Sequence, residues 1–274
     1  LFLYLKKINI KYHNNRRAAM IDIHSHLLPG IDDGSENIEI SVQMARDAVA
    51  DGITHALMTP HHMNGRYINH ANDVIKLTEQ FQRVLDDRQV PLTVFPSQEV
   101  RINGGLIEDL SVGDLLTADE QGTYMLIEFP SNDVPAFTMD MLFKLQQQGV
   151  TPIIVHPERN TRLMKQPELL YDMVSHGAYT QVTASSYVGT FGKAVTAFSE
   201  DIISHGLAHL FASDAHHIPG RKYEMTAAFE KLAANHGDSY VKTFQDNAKA
   251  IVNGEPVHGF SEQPIKKKKL FSAY

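Results

Sequence analysis

Met20-Ile21-Asp22-Ile23-His24-Ser25-His26 reads as a buried strand that ends in two histidines. On an extended chain, residues two apart project to the same face, so both imidazoles can reach one metal ion. An isolated His-x-His is as often two ordinary histidines as a metal site. Its meaning depends on what the rest of the chain supplies.

From Met20 onward the chain alternates regularly. Short apolar runs predict strands at 21–24, 53–58, 92–95, 124–127, 151–155, 178–182 and 208–211. Helical patterns lie between them at 38–50, 73–87, 136–147, 167–176 and 192–205. Gly52, Gly149, Gly177 and Gly206 stand just after four of these helices, where a left-handed residue ends a helix. Repeated βα units predict parallel strands with helices outside, and about seven of them favour an α/β barrel over an open doubly wound sheet. No linker or low-complexity stretch divides the body, so one domain is expected, over residues 20–260.

The polar residues fall at the strand exits. His24 and His26 end the first strand, and Thr59-Pro60-His61-His62 the second. Glu99 follows the third and Glu128 the fourth. His156-Pro157-Glu158-Arg159-Asn160 follows the fifth, and Ser213-Asp214-Ala215-His216 the last. In a parallel barrel these ends share one rim, where active sites of this architecture sit. Five histidines (24, 26, 61, 156, 216) and four carboxylates (Asp33, Glu99, Glu128, Asp214) exceed the needs of one ion and suit two or three. Imidazole and carboxylate without thiolate favour manganese, iron, zinc or cobalt. Such a centre attracts anions and suits hydrolysis of a phosphate ester.

Composition narrows the remaining classes. The 274 residues, 43% hydrophobic, can bury a full core. There is no cysteine, which excludes disulfides and thiol chemistry. No apolar run approaches the ~20 residues of a membrane span, and no signal peptide is recognisable, so a cytoplasmic location is expected. Nine of the 25 basic residues lie at the two ends, leaving a charge of about −16 over residues 20–265. An acidic body argues against nucleic acid as a partner. Residues 1–19 are basic, and Arg16-Arg17 ahead of Met20 is the pattern that a ribosome-binding site read through as AGGAGG would leave. The expectation is a natural start at Met20, the alternative a disordered basic leader. Residues 261–274 are expected to form a basic tail, with Lys266–Lys269 solvated or meeting anionic lipid.

The segments IDIHSHLLPGIDDG (21–34), MTPHH (58–62), QEVRI (98–102), LIEFP (126–130), VHPERN (155–160), FGK (191–193) and ASDAHH (212–217) resemble the polymerase and histidinol phosphatase (PHP) superfamily. More narrowly they resemble its bacterial manganese-dependent protein-tyrosine phosphatases, which regulate capsule and exopolysaccharide synthesis. The likeness runs from Met20 into the basic tail. It implies a distorted (β/α)7 TIM-like barrel with a trinuclear Mn2+ centre, and a tyrosine phosphatase acting on the tyrosine-rich tail of an autophosphorylated bacterial kinase. Peripheral membrane association through that kinase, and homo-oligomers, fit the same picture.

Carried over by position, the resemblance implies one ion held by His24, His26, Glu99 and Asp214. A second would share Glu99 and add Glu128 and His156; a third would use Asp33, His61 and His216. Arg159, and less strongly Arg221, would clamp the phosphoryl group, while a metal-bridging hydroxide attacks phosphorus. Ser97 departs from the family, which often has glycine there. Alternative functions are a small-molecule phosphatase, such as one for histidinol phosphate, and a non-catalytic regulatory protein.

Several positions have competing readings. Asp33 is preferred to Asp32, with the other carboxylate capping the turn at Gly34. His61 is preferred to His62, which would reach substrate instead. His217 is read as supporting or solvent-facing. His55, His176, His205 and His209 are read as structural, and His13, His70, His236 and His258 as surface residues. Glu158 is either catalytic or loop-ordering, and Phe191-Gly192-Lys193 either edges the pocket or starts a helix.

Overall fold

The computed structural model describes residues 19–217 and 221–266; the basic leader up to residue 18 and Lys267–Lys269 lie outside the described residues. β1 (Met20–Ser25), β2 (Ile53–Met58) and β4 (Thr93–Pro96) form one parallel sheet. β3 (His61–His62), β5 (Glu99–Arg101), β6 (Tyr124–Glu128), β7 (Thr151–Val155), β8 (Tyr179–Thr183) and β9 (Leu210–Ala212) form another, also parallel throughout.

The two sheets are parts of one ring. β2 continues into β3, and β4 into β5, across kinks at Thr59-Pro60 and Ser97-Gln98. The backbone bonds Ser97 N to Met58 O (2.9 Å) and Glu99 N to Pro60 O (3.1 Å) carry the pairing across both kinks. Asp214 N donates to His24 O (2.8 Å) and His26 N to Ala215 O (3.2 Å), linking β1 to the segment after β9. Seven strand positions therefore surround a common interior, as a distorted α/β barrel. The kinks explain why β3 and β5 do not stand out as strands in the sequence: each is a two- or three-residue extension beyond a break.

Helices pack outside. α1 (Ile38–Ala50) begins at Asn37, whose side chain accepts from Glu39 N and Ile40 N, a cap of the kind that contributes about 1 kcal/mol. α2 (Ala71–Asp87), α4 (Thr138–Gln147), α6 (Glu168–Ser175) and α8 (Lys193–Ser204) occupy the expected stretches, with ends shifted by a few residues. Gly52, Gly149, Gly177 and Gly206 all have positive φ, as a helix-ending residue requires. The short helices α3 (Leu106–Ser111), α5 (Thr161–Lys165) and α7 (Ala184–Val188), and the longer α9 (Met225–His236) and α10 (Asp238–Val252), are additional to the sequence reading.

Two apolar clusters divide the core. The larger fills the space between strands and helices, around Phe81, Leu85, Ile154, Tyr187 and Phe211. The smaller is the barrel interior: Ile21, Ile23, Leu57, Leu126, Ile153, Val155 and Leu210, closed at the N-terminal ends of the strands by Ile251 and Val252 of α10 and by Val257. With that end plugged, the interior is accessible from the opposite rim.

Candidate metal centre

At that rim, His24 of β1 and His26 just beyond it are each held through Nδ1. His24 Nδ1 donates to Gln181 Oε1 at 3.0 Å, and His26 Nδ1 to Asp32 Oδ2 at 2.7 Å. Both bonds fix the tautomer that leaves Nε2 with a free lone pair, as metal-ligating histidines require. The two Nε2 atoms lie 3.2 Å apart. Each is 3.3 Å from Glu99 Oε2, and they are 3.4 and 3.3 Å from Asp214 Oδ1. Four ligand atoms at such separations surround a point ~2.0 Å from each, the length of a bond from nitrogen or oxygen to a divalent ion.

Two further groups adjoin this one. His61, Glu99 and Glu128 bring ligand atoms together on one side, and His26, Asp33, His61 and His216 on the other. Glu99 is common to two groups, as is His61. His61 Nδ1 is 2.7 Å from Glu99 Oε2 and 3.6 Å from Glu128 Oε2. Asp33 Oδ1 is 3.3 Å from His61 Nε2 and 3.4 Å from His216 Nε2. His216 Nδ1 donates to Asp214 O (3.0 Å), again leaving Nε2 free. His156 Nε2 meets the other oxygen of Glu99, Oε1, at 2.7 Å. Beside Glu128 the structure therefore places His61 in the group where the sequence reading put His156, while His156 reaches Glu99 on that residue's other oxygen.

The fit to cations is chemical as well as geometric. Glu99 Oε2, Asp214 Oδ1, His61 Nδ1 and His216 Nε2 are buried and make no hydrogen bond, and each lies within ion-pair distance of another ligand-type atom of the cluster. Buried polar atoms are normally satisfied, and divalent ions held by the three groups would satisfy these four. The charges are strained in the same sense. Burial, then the charge of Glu99, pushes Glu128 up to about 7 against the pull of His61 and Arg101. Burial would lower His61, but Glu99 and Asp33 raise it to about 10. Burial and the His26 charge bring His216 down to about 4. Metal binding replaces such shared protons.

Backbone strain accompanies the site. His156 (φ 37°) and Asp214 (φ 48°) occupy the left-handed region, which side-chain-bearing residues seldom adopt. Gly34 is required for a different reason: a Cβ there would lie 2.2 Å from His26 O. Only glycine lets the Asp32-Asp33 turn close over β1.

Three arginines open onto the cluster. Arg159 and Arg221 both bond Asp214 Oδ2 through their NH2 groups, and together they hold that carboxyl well below the usual range despite its burial. Their Nε atoms are buried and unpartnered. Arg101 grips Glu128 Oε2 through Nε (3.0 Å) and NH2 (2.8 Å). All three line a pocket of about 320 Å³ with Asp33, His61, Asn64, Glu128, His156 and Asn160. The Phe191 ring centroid lies 5.3 Å from the Arg159 guanidinium carbon.

The competing positions separate cleanly. Asp32 orients His26 and accepts from Gly34 N (2.9 Å), while Asp33 faces His61 and His216. His62 turns away, its Nδ1 accepting from Asn69 N at 3.2 Å. Glu158 is fully buried and accepts from Thr183 N (3.1 Å), so it ties the turn after β7 to β8. His217 is exposed, and His209 is buried beneath Tyr179. Arg101, Gln181 and Asp22 were not singled out in the sequence. Arg101 stands two residues beyond Glu99, hence on the same strand face, which was a usable signal. Asp22, which accepts from Ser213 N (2.9 Å) and Ser213 Oγ (2.5 Å), shares the strand face of His24 by the same spacing.

Residues 20–253 match the family described as capsular polysaccharide synthesis, CpsB/CapC. The chain is 38% identical over 255 residues to the tyrosine-protein phosphatase YwqE of Bacillus subtilis, covering 93% of this chain and all of that one. It is 35% identical over 256 residues to the putative tyrosine-protein phosphatase CapC of Staphylococcus aureus, covering 92% and 99%. The fold superposes on a chain from the crystal structures of YwqE of B. subtilis and CpsB of Streptococcus pneumoniae, described as unique metal-dependent tyrosine phosphatases. The TM-score is 0.88 at 38% identity, over 90% of this chain and all of that one. The chain belongs to the CpsB/CapC family of capsular polysaccharide synthesis.

Proposed function

We propose that this protein is a metal-dependent tyrosine phosphatase that removes phosphate from tyrosines of a bacterial kinase and so regulates capsule or exopolysaccharide synthesis. The observation that carries the reading is the overlap of three ligand groups through Glu99 and His61, beneath two arginines that share Asp214. Family membership and the names of the relatives support the same activity. Manganese is the proposed metal, in up to three positions, and the cytoplasm the proposed location. No helix among the described residues is long and apolar enough to cross a membrane.

The geometry supports the following roles. His24, His26, Glu99 and Asp214 would hold one ion; Glu99, Glu128, His61 and His156 would flank a second position; Asp33, His61 and His216 a third. Divalent ions bound there supply Lewis acidity and lower the pKa of water at neutral pH. Arg159 and Arg221 both line the pocket, each side chain nearly a fifth exposed and carrying N–H donors beyond the one that meets Asp214. Those donors suit phosphoryl oxygens, which guanidinium groups bind in a planar, charge-assisted way. Asp214 holds both guanidiniums before substrate arrives, so they need not reorganise when charge develops.

The test is metal-reconstituted hydrolysis of a phosphotyrosine peptide beside histidinol phosphate, with and without chelator. Chelator-sensitive release from the peptide alone is the expected result. Release from histidinol phosphate alone would move the enzyme to amino-acid metabolism, and neither, in metal-loaded protein, would leave the barrel as a scaffold.

A further inference from the structure

Of the three arginines at the pocket, Arg159 alone has an aromatic ring over it among the described residues. Its guanidinium carbon lies 5.3 Å from the Phe191 ring centroid, within the ~6 Å of a cation–π contact. Phe191 is half-buried and stands in the short turn between α7 and α8. Gly189 (φ 113°) ends α7 and Gly192 (φ 88°) precedes α8, both in a region that side-chain-bearing residues seldom adopt. Across the turn, Gly192 N donates to Gly189 O (3.0 Å) and Thr190 N to Ser185 O (3.0 Å). Thr190 Oγ1 donates to Glu224 Oε2 (2.7 Å), just before α9, and Thr196 Oγ1 of α8 to Ser186 O of α7 (3.1 Å). α8 in turn packs against the Pro157–Arg159 turn that carries the arginine. Phe191 is therefore presented by backbone that is tied on both sides.

The electrostatics give this ring a task. Arg159 and Arg221 meet the same oxygen, Asp214 Oδ2, so one carboxylate faces two guanidinium cations that repel each other. A second carboxylate on Arg159 would relieve the repulsion, but it would also occupy N–H donors that a phosphoryl group needs. The neighbouring carboxylate, Glu158, is engaged elsewhere, accepting from Thr183 N at 3.1 Å. An aromatic face attracts a cation through its quadrupole and takes up none of the donors at the guanidinium edge. It steadies the group and leaves those donors open.

We propose that Phe191 is a positioning residue, whose ring holds the Arg159 guanidinium in place for a phosphoryl group without touching the substrate itself. The inference rests on the phosphatase reading, in which Arg159 receives that group. A guanidinium already confined by the ring and by Asp214 loses less side-chain freedom when the phosphoryl group binds. Leucine at this position keeps the apolar bulk and loses the quadrupole, whereas tyrosine keeps the ring.

The test is a double-mutant cycle on the metal-loaded full chain, read by calorimetric titration with inorganic phosphate and by hydrolysis of a phosphotyrosine peptide. Phe191→Leu should weaken phosphate binding and lower kcat/KM by about tenfold each, the scale of one partly desolvated cation–π contact. Phe191→Tyr should stay within about twofold of the unsubstituted protein. In an Arg159→Ala background, Phe191→Leu should change neither quantity further, and metal content should be equal in every variant. A loss below about twofold in the leucine variant, the same loss in the Arg159→Ala background, no restoration by tyrosine, or lost metal would each overturn the proposal. Unchanged phosphate affinity in Arg159→Ala would remove the clamp and this inference with it. Unsubstituted protein that binds phosphate yet hydrolyses no phosphotyrosine peptide would reject the phosphatase reading alone, and phosphate affinity would still decide the role of Phe191.

Discussion

Gln181 Oε1 receives its hydrogen bond from His24 Nδ1 across 157 residues of sequence, and that single contact selects the tautomer of a central metal ligand. Gln181 lies in β8 and His24 in β1, so the barrel alone makes them neighbours. Replacing Gln181 by Leu should leave the fold intact and weaken metal binding tenfold to a hundredfold, the usual cost of losing such a partner. Metal titration of the chelated protein, read with circular dichroism, checks this. Unchanged affinity would mean that packing alone orients His24.

Arg159→Ala and Arg221→Ala each remove a guanidinium from Asp214 Oδ2 and from the pocket. Each should lower kcat/KM for a phosphotyrosine peptide by about a hundredfold or more, as deleting one donor to a developing charge does. Metal content should persist, because His24, His26, Glu99 and Asp214 Oδ1 are untouched. Retained turnover and substrate affinity in the Arg159 variant would reject the clamp.

Gly34→Ala should be among the most damaging small changes in the chain. The added methyl meets His26 O and His26 Cβ at 2.2 and 2.4 Å, contacts that only backbone displacement relieves. Overpacking of this kind costs about 1–3 kcal/mol. Here the displaced turn also carries Asp32 and Asp33. A lowered Tm with loss of about one metal equivalent is expected, and a wild-type melting curve with full metal content would contradict it.

His209 provides a pH dependence unrelated to the metal ligands. Burial brings its pKa down to about 4, and its Nδ1 accepts from Thr180 N at 3.2 Å, so the folded state keeps it neutral. In the unfolded chain it binds a proton near pH 6.5. Below that value the unfolded state holds the extra proton, so stability falls as pH drops from about 6.5 to about 4. The contribution is about 3 kcal/mol. In chelated protein, His209→Asn should reduce the stability difference between pH 7 and pH 4.5 in urea unfolding. An equal difference in both proteins would show that other groups dominate.

The legible part of the site was that carried by local pattern. Strand and helix periodicity, with polar residues at strand exits, was enough to bring His24, His26, Glu99, Glu128, His156, Asp214 and His216 to one rim, because a parallel barrel gives every strand exit the same destination. The illegible part lies in contacts between strands. Nothing near Gln181 marks it as the partner of His24; the spacing puts Arg101 on the strand face of Glu99 without naming Glu128 as its partner; and the kinks that create β3 and β5 depend on pairing with neighbours.

By itself the sequence determined the alternation of strands and helices, the ligand chemistry and the family likeness, since each depends on residue type and spacing along the chain. Tertiary structure alone decided which oxygen or nitrogen of each side chain faces the cluster, that His61 stands beside Glu99 and Glu128, and that Asp32 orients while Asp33 faces the ligands. The physical reason is directional. Hydrogen bonds and metal bonds depend on angles and distances of a few tenths of an ångström, which only the closed barrel fixes.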